Sequence, residues 1–316
     1  MTSGLELRVG SRSDSDSGLG LGEQGYLNLL RHVLNNGEER NSRNGKTLST
    51  FGERLEFDLG LDSGFPLLTT KKVFLRGIAE ELFWFLRGST NANELSEKGV
   101  HIWRDNTTRE FLDSVGLPHL MSGYLGAGYG HQWRSFGGEY PSGKGGVDQI
   151  KYILEELTLR PYGRRALMNA WNPCQLSSAA LPPCHYAYQF YISDVRGLSC
   201  ICNCRSQDLC AGTPFNIAST ALFTRLLAHI LYIPADRIIL NMGDAHIYEE
   251  HFDGATEQIG RDPLLYPKPK LTINKAAPPK ESSIDEKMQW LTTLVFEDIT
   301  ISDYECYPPI KYKMIA

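Results

Sequence analysis

Leu198-Ser199-Cys200-Ile201-Cys202-Asn203-Cys204, then Thr213-Pro214-Phe215-Asn216-Ile217-Ala218-Ser219-Thr220-Ala221-Leu222-Phe223-Thr224-Arg225-Leu226-Leu227-Ala228-His229-Ile230-Leu231-Tyr232, then Arg237-Ile238-Ile239-Leu240-Asn241-Met242, is the stretch that decides the fold class. The middle part is apolar nearly all round, so 215–232 reads as a buried helix. Pro214 suits its first turn and Thr213 its cap. The flanks read as strands. Further strand-like runs lie at 166–171 and 186–193 upstream, and at 271–274, 294–301 and 309–314 downstream. In the N-terminal half, Tyr26, Leu27, Leu30, Val33 and Leu34 recur at helical spacing before Gly37, and Phe51, Leu55 and Phe57 alternate as in a strand. The runs 73–86, closed by Gly88, and 147–159 read as helices. Helices and strands mix without a steady alternation and no repeat occurs, which predicts a single α+β domain.

The domain is expected to span 23–316. Residues 1–22, with Gly10-Ser11-Arg12-Ser13-Asp14-Ser15-Asp16-Ser17-Gly18, have little to bury and are expected to form a disordered tail. A net charge of −5 speaks against a general DNA-coating role and leaves local basic pockets open. No apolar run is expected to span a membrane, and no hydrophobic leader is evident. Seven cysteines, an odd number without an export signal, suggest reduced thiols in the cytoplasm or the nucleus.

Chemistry could sit in several places. Cys184, in Leu181-Pro182-Pro183-Cys184-His185, is a thiol on a stiffened loop: a nucleophile if positive charge is near, otherwise a structural cysteine. Arg43, Arg164, Arg165 and Arg205-Ser206 could grip a phosphate monoester or be solvated. Gly243-Asp244-Ala245-His246-Ile247-Tyr248 offers sugar-binding groups, or a helix start capped by Asp244. His246 and His251 stand five apart, poorly placed for one metal on a helix. Cys200, Cys202 and Cys204 share one strand face but would spread over ~13 Å, so they read as packing rather than as a zinc site. Trp103 and Asn106 suit an aromatic wall or a core turn.

Longer segments carry a resemblance. Phe65-Pro66-Leu67-Leu68-Thr69-Thr70-Lys71-Lys72-Val73-Phe74, Glu80-Glu81-Leu82-Phe83-Trp84-Phe85, Gly88-Ser89-Thr90-Asn91-Ala92, the Cys184 loop, Pro214-Phe215-Asn216-Ile217-Ala218-Ser219 and 243–248 occur in order. Across 26–316 the chain resembles the thymidylate synthases. The resemblance implies a large mixed β-sheet that forms a homodimer interface, and reductive methylation of dUMP by 5,10-methylenetetrahydrofolate without a metal. It implies that Cys184 attacks C6 of uracil while Glu81 and Tyr129 organise proton transfer. Arg205, Arg43 and Ser206 would hold phosphate, with Arg164 and Arg165 reaching across from the partner. Asn216 would read the uracil edge, and His246 and Tyr248 the sugar. Asp208, Ile102, Trp103, Asn106, Phe215 and Lys71 would meet the reduced folate, and the C-terminal Met314-Ile315-Ala316 would close over it. No membrane or nucleic acid is required.

The chain departs from the family pattern in places. The phosphate loop is one residue short, leaving Arg40 as an alternative to Arg43. Tyr124-Leu125-Gly126-Ala127-Gly128-Tyr129-Gly130 loses a proline and gains a glycine. Cys204 replaces a glutamine beside the reaction centre, Arg104 an aspartate and Ala211 a leucine. Two alternatives therefore accompany the methylation reading: a pyrimidine-nucleotide hydroxymethylase, and a weakened homologue kept for binding nucleotide, RNA or protein. Asn216 and Trp103 weigh against the first, and the retained Cys184, Arg205, Asn216 and His246 against the second.

Overall fold

A computed structural model describes residues 20–42, 44–60, 62–313 and 315. The chain runs α1 (Gly22–Asn36), β1 (Glu38–Ser42), β2 (Gly45–Asp58), α2 (Leu75–Arg87), α3 (Asn93–Ser96), α4 (Arg109–Ser114), α5 (Tyr129–Ser135) and α6 (Gln149–Leu159). There follow β3 (Leu167–Asn169), β4 (His185–Ser193), β5 (Gly197–Asp208), α7 (Thr213–Leu231), β6 (Ala235–Tyr248), α8 (Phe252–Ile259), β7 (Lys270–Ile273), α9 (Ile284–Thr292) and β8 (Ile299–Ser302).

Six strands form one mixed sheet in the order β1-β2-β6-β5-β4-β3, and β7 pairs with β8 separately. Only β5 and β6 run parallel in the large sheet. Parallel neighbours cannot be joined by a hairpin, and α7 supplies the crossover. Its burial on nearly every side follows from where it lies, packed on β5, β6 and α2. Thr213 is the first residue of α7 rather than its cap. Gly212 takes that position, and the Thr213 hydroxyl donates to the Asp208 carbonyl (3.0 Å), tying helix to strand.

Alternation along β5 sorts its side chains. Cys200, Cys202 and Cys204 turn into the core, the last two with sulfurs 3.8 Å apart, while Asn203 and Arg205 face the other way. That other face is bare in the single chain. Phe51 is 86% exposed and Tyr191 61%, and Phe51, Trp171, Tyr186 and Met242 line an open groove of about 580 Å³.

Two expected elements differ. Residues 309–313 are irregular rather than a strand, since Tyr312 and Lys313 are spent on contacts to α8 and the turn before it. The expected strand 294–301 starts only at Ile299, after a 3₁₀ turn at Phe296–Asp298. Asp244 lies within β6 and starts no helix.

Candidate active site

The ends of the central strands meet at a cavity of about 800 Å³. β5 delivers Arg205, Ser206, Gln207 and Asp208. The first turn of α7 delivers Phe215 and Asn216, and the end of β6 delivers Asp244, His246 and Tyr248. Asp208 makes the strand-to-helix turn: its Oδ1 accepts the N–H groups of Cys210 (2.8 Å) and Ala211 (3.1 Å). Glu81 from α2, Tyr129 from α5, and Ile102, Trp103 and Asn106 form the opposite wall. Ile315 lies at the rim.

Cys184 stands where loop meets sheet. Its backbone N–H donates to the Tyr129 hydroxyl (2.7 Å), and its carbonyl accepts the Arg205 N–H (2.9 Å). The Arg205 guanidinium is fixed by the Pro183 and Pro182 carbonyls (2.9 Å each), which leaves Nη2 3.8 Å from Cys184 Sγ. Burial pushes the thiol up, and Arg205 opposes that shift. Across the cavity, burial raises Glu81 to about 7, against a hydrogen bond from the Trp103 indole N–H (2.7 Å). A carboxyl poised near neutrality can both give and take a proton. His185, stacked on Tyr129 with centroids 4.5 Å apart, is lowered to about 4 by burial and so is neutral.

A polar corner closes the β6 side. Asp244 accepts from Ser49 (2.8 Å) and Arg40 (3.2 Å) and lies 3.1 Å from His246 Nδ1; these partners hold its carboxyl down. Asn216 Nδ2 donates to Gln207 Oε1 (3.1 Å).

The structure thus gathers Cys184, Glu81, Tyr129, Arg205, Ser206, Asp208, Asn216, His246, Tyr248, Ile102, Trp103, Asn106 and Phe215 around one space. Lys71 is not among them. It is buried, donating to the Cys210 carbonyl (2.6 Å) with its ammonium 4.4 Å from the Tyr312 ring. Arg164 and Arg165 are exposed and line no part of the cavity. Arg43 and Ala316 lie outside the described residues, while Arg40 lines the cavity. Gln207, Thr47 and His185 also line the cavity without a role expected from the sequence, and the polar Gln207 beside Arg205-Ser206 is the available signal; Asp244, expected as a sugar-binding group or a helix cap, lines it too.

The Tyr124–Gly130 departure is accommodated. Ala127, where the pattern has proline, donates its N–H to the Ser178 carbonyl (2.9 Å), a bond proline could not make. Gly126 is required, with φ +74 and its missing Cβ only 2.1 Å from that carbonyl. Asp208, Cys210 and His251 bring donor atoms within 4.8 Å of one another. Asp208 Oδ1 is committed to two backbone N–H groups, and the Lys71 ammonium lies against the same corner.

A family model described as thymidylate synthase matches residues 24–316. The thymidylate synthase of Candida albicans is 44% identical over 316 residues, covering 92% of this chain and 97% of that protein. That of Saccharomyces cerevisiae is 42% identical over 308 residues, covering 92% and 96%. The bifunctional dihydrofolate reductase-thymidylate synthase of Leishmania amazonensis is 43% identical over 299 residues; the chain spans about half of it, 55%. With that match running through every strand and helix that builds the cavity, the chain belongs to the thymidylate synthase family of methyl-transferring enzymes.

Proposed function

We propose that the cavity converts dUMP to dTMP through a covalent bond between Cys184 and C6 of uracil. The observation that carries this reading is the Cys184 sulfur 3.8 Å from the Arg205 guanidinium, in the same cavity as a Glu81 carboxyl raised to about 7. The co-substrate 5,10-methylenetetrahydrofolate supplies the carbon and the hydride and leaves as dihydrofolate. Three observations fit it: the wall of Ile102, Trp103 and Phe215, Asp208 at the cavity edge, and a buried Asn106 Nδ2 without a protein partner. No metal has a part in the reaction.

The protein's own groups divide the work. The Cys184 thiolate adds to C6, and the C5=C6 electron pair moves toward O4, where Asn216 Nδ2–H can receive the charge. C5 then bonds to the one-carbon unit. Its proton leaves through water held by Glu81 and Tyr129 as the bond from the one-carbon unit to the folate nitrogen breaks; hydride from the folate then adds to that exocyclic methylene, and the displaced electron pair restores C5=C6 as the Cys184 thiolate leaves. Trp103, pinned to Glu81, keeps bulk water from that carbon. Arg205, Ser206 and Arg40 or Arg43 take the phosphate, and His246 and Tyr248 the sugar.

The protein works as a homodimer in the cytoplasm or the nucleus, with Arg164 and Arg165 completing the partner's phosphate site. The exposure of both arginines and the bare apolar sheet face support this. Lys71 meets the folate tail only if its contacts to Cys210 and Tyr312 open. Of the expected tail 1–22, residues 1–19 lie outside the described residues, and Gly22 already belongs to α1. Incubation with dUMP and methylenetetrahydrofolate tests the reaction: dihydrofolate absorbance with dTMP by mass is expected. Hydroxymethyl-dUMP without dihydrofolate would favour the hydroxylating alternative, and nucleotide binding without turnover the binding-only one.

A further inference from the structure

Gln207 is buried, 2% exposed, at the end of β5 between Ser206 and Asp208 and beside Ala245 of β6. Its Oε1 accepts the Asn216 Nδ2–H at 3.1 Å, while its Nε2 packs toward Gly212, 3.7 Å from where a Cβ there would stand. Asn216 is itself anchored in the first turn of α7, its backbone N–H donating to the Gly212 carbonyl (3.1 Å).

A primary amide has two N–H donors and one carbonyl. With one N–H given to Gln207, Asn216 retains one donor and its oxygen. These match O4 and N3–H of uracil. Turning the Asn216 amide over to match cytosine, which offers an acceptor at N3 and a donor at C4, would set Oδ1 against Gln207 Oε1. Two carbonyl oxygens would then meet in a buried place, which is unfavourable unless Gln207 also turns within its packing. We propose that Gln207 is a positioning residue for base selection: it holds the Asn216 amide in the orientation that reads uracil. The inference rests on the reading of the cavity as a pyrimidine-nucleotide site.

Calorimetric binding of dUMP and dCMP to wild type, Gln207→Met and Gln207→Glu tests it. Wild type should prefer dUMP. Gln207→Met removes the acceptor and should lower the dUMP-to-dCMP affinity ratio about three- to tenfold, the worth of one neutral hydrogen bond. Gln207→Glu, whose carboxylate only accepts, should keep the wild-type ratio. Where the methionine variant does not fold, Gln207→Asn, too short to reach, should show the same fall. A ratio unchanged in the methionine or asparagine variant, even with both nucleotides weakened equally, overturns the inference. So does an equal fall in the glutamate variant. Wild-type protein that binds neither nucleotide overturns the reading of the cavity itself.

Discussion

The thiols of β5 and the thiol just before its neighbour β4 differ in almost everything chemical. Cys200, Cys202 and Cys204 project from one face of β5 into the core and are no more than 2% exposed. Burial pushes Cys200 well up, and its side chain is fully buried. Cys184, one residue before β4, is also pushed up by burial, but it borders the cavity and has Arg205 beside it. The sequence distance from Cys204 to Arg205 is one residue, and alternation puts the thiol in the core and the guanidinium beside Cys184. Reactivity is thus set by which face of a strand a residue occupies, not by the density of cysteines in the sequence.

Substitutions can break that contrast. Cys184→Ser should cut kcat by about 10⁴-fold or more, measured as dihydrofolate formation, with nucleotide binding largely kept. Glu81→Gln should lower kcat by about 10²-fold. It should also abolish the ionisation near pH 7 in the rate profile, since the group whose carboxyl loses its proton there is gone. Arg205→Leu removes the charge that favours the thiolate, so the midpoint of Cys184 alkylation by iodoacetamide should move to higher pH. The rate at pH 7.5 should fall about tenfold. Cys200→Ala should leave kcat within about twofold and cost about 1–2 kcal/mol in denaturant unfolding, a packing loss only. If Cys200 were alkylated in the native protein as fast as Cys184, the contrast would collapse.

Periodicity made the fold legible: the apolar run that became α7 and the flanking strands fall within a few residues of their places. The stretch 309–313 misled because alternating apolar residues there pack singly against α8 rather than pairing in a ladder. Cys184, Glu81, Asn216, His246 and Tyr248, each within a quoted motif, line one cavity, and Cys200, Cys202 and Cys204 pack in the core. Gln207 was not legible, because its significance lies in a contact to Asn216 nine positions away across the strand-to-helix turn. Lys71, which the resemblance sends to the folate, lines no part of the cavity here, its ammonium being engaged by Cys210 and Tyr312. Local sequence does not reveal which partner a long flexible side chain will find.

The cavity is also built from two kinds of wall. One is the β5–α7–β6 unit, in whose strands and helix Arg205 alone is exposed and the rest are buried or half-buried; the other includes β1, with every residue exposed, and Ile315 near the chain end. Amide hydrogens of α7 should therefore exchange with deuterium only through global opening, while those of β1 should exchange through small local fluctuations. Nucleotide should slow exchange in β1 far more than in α7, so that ligand occupancy is written in the isotope pattern of the weaker wall.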